Sequence, residues 1–195
     1  MRVLAVSGSL RSGSLNSELL RLAAGQAPEG VELVGWYGLA DLPHYDADRE
    51  TPEPAAVAAL REALESADAV LVATPEYNGS VPGALKNAID WASRPEPLLG
   101  ALWSKPVAVI SASTGSFGAV WAQTELNKVL RTAGARVVET GLAVAKADRR
   151  LEDPDEELLG DLRQVLELLV GEAVPAAAAA PPLRPVQVEA SRAAA

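Results

Sequence analysis

Serines, glycines and a single arginine crowd Ser7-Gly8-Ser9-Leu10-Arg11-Ser12-Gly13-Ser14-Leu15-Asn16-Ser17, a stretch suited to holding an anion. Backbone amides at a helix start attract phosphate, the hydroxyls of Ser9 and Ser14 and the amide of Asn16 add donors, and Arg11 offers a charged fork. The glycines allow close approach of the backbone. Two commoner phosphate motifs are absent. Gly8 and Gly13 keep the outer spacing of a nucleoside-triphosphatase loop, but Ser14 stands where the lysine belongs. The G-x-G-x-x-G fingerprint is missing, and no acidic residue closes the second strand at Trp36 to hold a ribose. The plain alternative is a polar turn whose serine caps a helix.

Two further turns have a similar character. Thr74-Pro75-Glu76-Tyr77-Asn78-Gly79-Ser80 supplies backbone amides, the Asn78 amide and the Tyr77 ring, a set suited to a planar heterocycle with acceptors at its edge. The competing reading is a connection in which Asn78-Gly79 makes a turn and Tyr77 covers the core. Ser111-Ala112-Ser113-Thr114-Gly115-Ser116-Phe117-Gly118-Ala119 is again small and donor-rich, with Phe117 its only bulky member. Alone it reads as a flexible connection.

Regular elements must position these turns. Apolar patterning predicts strands over Arg2–Ser7, Val31–Trp36, Ala67–Ala73, Pro106–Ser111 and Arg136–Val144. Helices are predicted over Ser14–Gly25, Pro54–Ser66, Pro82–Trp91, Ala119–Ala133 and Pro154–Val170. Asp153 is the expected cap of the last and Pro154 its first-turn residue. Strict alternation predicts an α/β fold, a five-stranded parallel sheet doubly wound with helices on both faces. In the order 2-1-3-4-5, strands one and three meet at the switch point, and all three donor-rich turns share one edge. A phosphate monoester beside a planar ring describes a mononucleotide.

The bulk properties fit one globular domain. The chain has 195 residues, 49% hydrophobic and 22% charged, and a net charge of -9 that argues against nucleic-acid or anionic-membrane binding. It has no cysteine, which removes disulfides and thiolate sites and fits a cytoplasmic location. Its one histidine, His44, precludes a multi-histidine metal site and reads as a loop residue, so no metal is expected. No apolar stretch is long enough to span a bilayer. The domain is read as residues 1–172, and the Ala/Pro-rich 173–195 as a disordered tail. Trp91, Trp103 and Trp121 read as core or subunit contacts, Trp91 and Trp121 being candidates for a subunit interface.

Val6–Ser14 with Asn16, the Pro75–Trp91 stretch and the Ser111–Gly118 loop together resemble the NADPH-dependent FMN reductase family, which includes chromate and quinone reductases. The similarity runs over about residues 2 to 145. It implies a flavodoxin-like fold, bound FMN, NADPH or NADH as electron donor, a small-molecule electron acceptor, and a homodimer or homotetramer. By resemblance, Ser9, Arg11, Ser14 and Asn16, with Leu15 beside them, hold the phosphate. Pro75, Glu76, Tyr77, Asn78 and Gly79 flank the ring, and Ser113, Thr114 and Gly115 complete the pocket. Ala119 departs from the pattern, because many members carry a second glycine there, and its methyl is expected to narrow the space over the ring. The implied chemistry is hydride transfer to flavin N5 and onward reduction of flavins, quinones, azo dyes or chromate, with no side chain acting as a catalyst. The alternatives are a flavodoxin-like electron carrier and a flavin-binding regulator.

Overall fold

The computed structural model describes residues 1–94 and 100–173. Six strands and six α-helices follow one another as β1 (Arg2–Ser7), α1 (Leu15–Ala24), β2 (Glu32–Trp36), α2 (Ala55–Glu65), β3 (Ala69–Thr74), α3 (Gly83–Ala92), β4 (Pro106–Ala112), α4 (Val120–Thr132), β5 (Arg136–Val138), β6 (Ala143–Val144), α5 (Ala147–Arg150) and α6 (Glu156–Ala173). The sheet is parallel with order β2-β1-β3-β4-β5, and β6 also pairs with β4. This is the doubly wound, flavodoxin-like order expected from the alternation. Strands β3 and β4 are buried along their whole length, which is why they read as unbroken apolar runs.

Alternate strand residues feed two apolar layers. Leu4, Val6, Val70 and Val72 pack with Leu60, Leu64, Leu85, Ile89, Leu126 and Leu130, so α2, α3 and α4 cover one face. Val3, Ala5, Leu71 and Ile110 pack with Leu19, Leu158, Leu162 and Leu166, so α1 and α6 cover the other.

The structure departs from the sequence reading in four places. The fifth strand does not run unbroken over Arg136–Val144: β5 pairs with Pro106–Ala108 and β6 with Ser111–Ala112, so two short pieces replace it. Between them Gly141 takes φ 65°, and the Thr140 hydroxyl donates to the Val109 carbonyl at 2.9 Å in place of a ladder bond. The cap of α6 is Asp155 rather than Asp153: its Oδ1 accepts from the Leu158 amide at 2.8 Å, and Pro154 lies outside the helix. Trp91 is fully buried, so it is core rather than a surface available to a partner. The short helix α5 was not expected at all. Apart from Ala173, which ends α6, the expected tail lies outside the described residues.

Candidate functional site

Strand register brings the three donor-rich turns together. Ser7 pairs with Ala73, and Thr74 with Ser111, so β1, β3 and β4 end at one height and their loops leave the same edge. The Gly8 amide donates to the Ala73 carbonyl at 2.8 Å, joining the first loop to the second. A Cβ on Gly8 would lie 2.8 Å from Leu85 Cδ2 and 3.2 Å from Pro75 Cδ. Glycine is what allows that close approach.

In the first loop the ends are fixed and the middle is open. Ser14 Oγ accepts from the Ser17 amide at 3.2 Å, capping α1, and Ser17 Oγ donates to Ser7 Oγ at 3.0 Å. Asn16 is 3% exposed. Its Nδ2 donates to the Ala112 carbonyl and its Oδ1 accepts from the Ala112 amide, both at 3.0 Å, so it braces α1 against the end of β4. Between these anchors Leu10, Arg11, Ser12 and Gly13 are exposed and Ser9 is half-buried. The amides of Ser12, Gly13, Leu15 and Asn16 have no protein acceptor among the described residues. The Arg11 guanidinium likewise has no carboxylate partner among them.

The second loop closes on itself. Tyr77 and Ser80 exchange both main-chain hydrogen bonds at 3.1 Å across Asn78 and Gly79. Asn78 has φ 55° and Gly79 φ 73°, the primed hairpin turn for which Asn-Gly is the favoured pair. Asn78 and Gly79 are exposed, and the Tyr77 ring is 53% exposed. Glu76 points instead toward α4: its Oε2 accepts from the Trp121 and Ala122 amides, each at 3.1 Å. That carboxylate fills a vacant role, because the residue preceding α4, Ala119, has no side-chain acceptor to cap the helix. From the helix side, Glu125 Oε2 accepts from the Ser80 hydroxyl at 2.7 Å and the Val81 amide at 3.3 Å. These two donors, the Ser80 hydroxyl first, hold the Glu125 carboxyl below the usual carboxylate range.

The third loop is fixed at its far end. Ser111 Oγ donates to the Gly118 carbonyl at 2.6 Å. Gly118 has φ 61°, and a Cβ there would come within 2.5 Å of the Ala143 carbonyl carbon, so the loop lies flat against β6. The Lys146 amide donates to Gly115 and the Ala147 amide to Ser113, each at 3.0 Å, tying the β6–α5 junction to it. Ala119 follows in the left-handed region, φ 69° and ψ 33°, and is 3% exposed. Its methyl is therefore packed within the protein rather than held over an open space. Thr114, Gly115 and Phe117 are exposed, and Phe117 rests on the half-exposed Trp121 with centroids 4.9 Å apart.

The expected residues thus share one rim, but they do unlike work. Arg11, Tyr77, Asn78, Gly79, Thr114 and Gly115 face outward, with Ser9 and Ser113 half-buried beside them, while Pro75 is buried. Ser14 caps, Asn16 braces, Leu15 is half-buried against the second apolar layer, and Glu76 holds α4. Sequence reasoning missed Glu125, which belongs to no motif, and the roles of Asn87 and Trp91. Asn87 Nδ2 and Trp91 Nε1 both donate to the Pro43 carbonyl, at 2.9 and 2.8 Å, and Asn87 Oδ1 accepts from the Tyr45 amide at 2.7 Å. They fasten the segment around Pro43. His44 beside it is exposed. Among the described residues no group of His, Asp or Glu is placed to hold a metal ion.

A family profile described as NADPH-dependent FMN reductase matches residues 1–149. An NAD(P)H-dependent FMN reductase of Pseudomonas aeruginosa is 40% identical over 181 residues, covering 87% of this chain and 95% of that protein. A quinone reductase of Escherichia coli is 44% identical over 134 residues, covering 67% and 69%. Among solved structures, a flavoenzyme NAD(P)H:(acceptor) oxidoreductase from Paracoccus denitrificans superposes with a TM-score of 0.77 at 34% identity, covering 88% of this chain and 98% of that one.

Proposed function

The chain belongs to the NADPH-dependent FMN reductase family, and from that footing we propose how it holds its cofactor. It is an FMN-dependent oxidoreductase that draws reducing equivalents from NAD(P)H and passes them to quinone-type acceptors. Such relatives favour a reductase over a passive carrier or a regulator.

The donor set fits FMN. One observation carries the assignment: the amides at and just before the start of α1 and the exposed Arg11, without protein partners among the described residues, stand on the same sheet edge as a self-closed turn whose Asn78 and Gly79 are exposed. The 9–16 loop receives the phosphate, with Arg11 and the amides of Ser12, Gly13, Leu15 and Asn16 as donors and Ser9 beside them. Pro75 to Gly79 border the ring, and Ser113, Thr114 and Gly115 close its far side. FMN supplies hydride acceptance at N5 when bound. The Asn78 and Gly79 amides, which the turn's own hydrogen bonds leave over, would offer positive dipoles to negative charge on a ring bound beside them. The exposed Tyr77 ring beside the turn offers an apolar surface to the nicotinamide of NADPH or NADH and then to the acceptor. No side chain need act as general acid or base.

The reductase domain occupies residues 1–172. A homodimer or homotetramer would cover Phe117 and Trp121, which are 63% and 53% exposed beside the rim. Dependence on NAD(P)H fits a cytoplasmic setting. Titrating the purified protein with FMN should develop a bound flavin spectrum that NADPH bleaches without oxygen, and a benzoquinone should then sustain turnover. A protein that shows no affinity for FMN by calorimetry overturns the reading.

A further inference from the structure

The Tyr77–Ser80 turn is gripped from both sides by carboxylates that cross in opposite directions. Glu76, immediately before it, reaches out to the first-turn amides of α4. Glu125, one turn along that helix, reaches back to Ser80 and Val81, immediately after it. The turn and α4 are thus sewn together at two points one helical turn apart, about 5.4 Å along the axis. Each tie compensates a local shortage. The start of α4 lacks its own cap, and the Val81 amide, just before Pro82 opens α3, lacks a helical partner. Both carboxylates are engaged in these ties, so Glu76 borders the ring through its main chain alone.

We propose that Glu76 and Glu125 are positioning residues for the flavin ring, a two-sided clamp that fixes the Tyr77–Ser80 turn so that its amides meet the ring already in place. The inference rests on the reading that this turn borders the ring. A ligand that has to order a loose turn binds more weakly by the ordering cost, so a clamp of this kind acts on affinity without touching the ligand. It acts chiefly on the ring, because the phosphate loop is braced by Asn16 against the end of β4 rather than by either glutamate.

The test compares FMN with riboflavin, which lacks the phosphate, by titration of apoprotein variants. Glu76→Ala should weaken both ligands by the same factor, about tenfold, which leaves their ratio unchanged. Glu76→Gln keeps an acceptor for the two amides and should restore most of that affinity. Glu125→Ala should weaken both ligands about fivefold, and the double variant should fall short of the product, since either release frees the same turn. Unchanged riboflavin affinity in both alanine variants, with only a lower Tm, overturns the clamp and leaves a purely structural role. If Glu76→Ala does not fold, the exposed Glu125→Ala decides by the same two ligands. Gly79→Val separates the underlying reading: it strains the turn at φ 73° in open space. If Gly79→Val spares riboflavin, the turn does not border the ring and the proposal fails with that reading. If Gly79→Val weakens riboflavin while the glutamate variants do not, only the clamp fails.

Discussion

The loops after β1 and after β3 sit side by side and are built on opposite plans. In the first, the fixed points lie at its ends, Gly8 and Asn16, and Leu10 to Gly13 between them are exposed, with amides and a guanidinium that have no protein partner among the described residues. In the second, the turn closes on its own hydrogen bonds, and carboxylates grip it at the residues directly flanking it. The difference follows from what each must recognise. Charge attracts from any direction, so a phosphate loop needs donors left unpartnered more than it needs stiffness. A planar ring is recognised by the placement of a few groups, so its loop must be rigid before the ligand arrives.

Substitutions can break this contrast. The largest effect is expected at Asn16. Asn16→Leu removes two buried hydrogen bonds and leaves the Ala112 amide and carbonyl unsatisfied, which should cost about 3 kcal/mol in urea unfolding. Because Asn16 braces the phosphate loop, FMN should also bind more weakly while riboflavin, which lacks the phosphate, is spared, and an equal loss for both would mean that the brace supports the ring as well. Next, Arg11→Ala should weaken FMN by about 1.5–3 kcal/mol while sparing riboflavin, as calorimetry with the two ligands would report. An equal loss for both would mean that the first loop also governs the ring, and the division of labour would be void. The smallest effect belongs to the third loop. Ala119 occupies a left-handed conformation that costs an L-residue about 1–2 kcal/mol, against about 0.5–1 kcal/mol for the extra freedom of glycine when unfolded. Loss of the buried methyl costs about 0.8 kcal/mol besides, so Ala119→Gly should change stability by less than about 1 kcal/mol, measured by thermal melting, with flavin affinity unchanged.

Much of this architecture was legible in the sequence where short-range patterns encode it. β1 keeps its predicted bounds, and α1 and α2 lie within a residue of theirs, because hydrophobic period and flanking serines or prolines mark them. Asn78-Gly79 announced its turn, and Ser14 its cap, by local propensity alone. Other features were hidden. The expected fifth strand breaks at Thr140 and Gly141, where the Thr140 hydroxyl donates to the Val109 carbonyl 31 residues away, and beyond the break Ala143 lies against the distant Gly118. For Trp91 the sequence left core and interface both open, and the structure decides for core, its indole held inside by the Pro43 carbonyl and the ring of Tyr45.

By itself, then, the chain's order of residues determined the alternation of strands and helices, the parallel sheet that follows from it, and the three donor-rich turns at one edge. Those properties arise from neighbours within a few positions, where periodicity and turn preference act. Only the tertiary structure decided which polar side chains face outward and which are engaged within the protein. Glu76 finds its amides 45 and 46 residues away, and Asn16 its partner 96 residues away. A hydrogen bond across such distances leaves no periodic trace, since it forms between groups that folding brings together rather than between groups that the chain keeps adjacent.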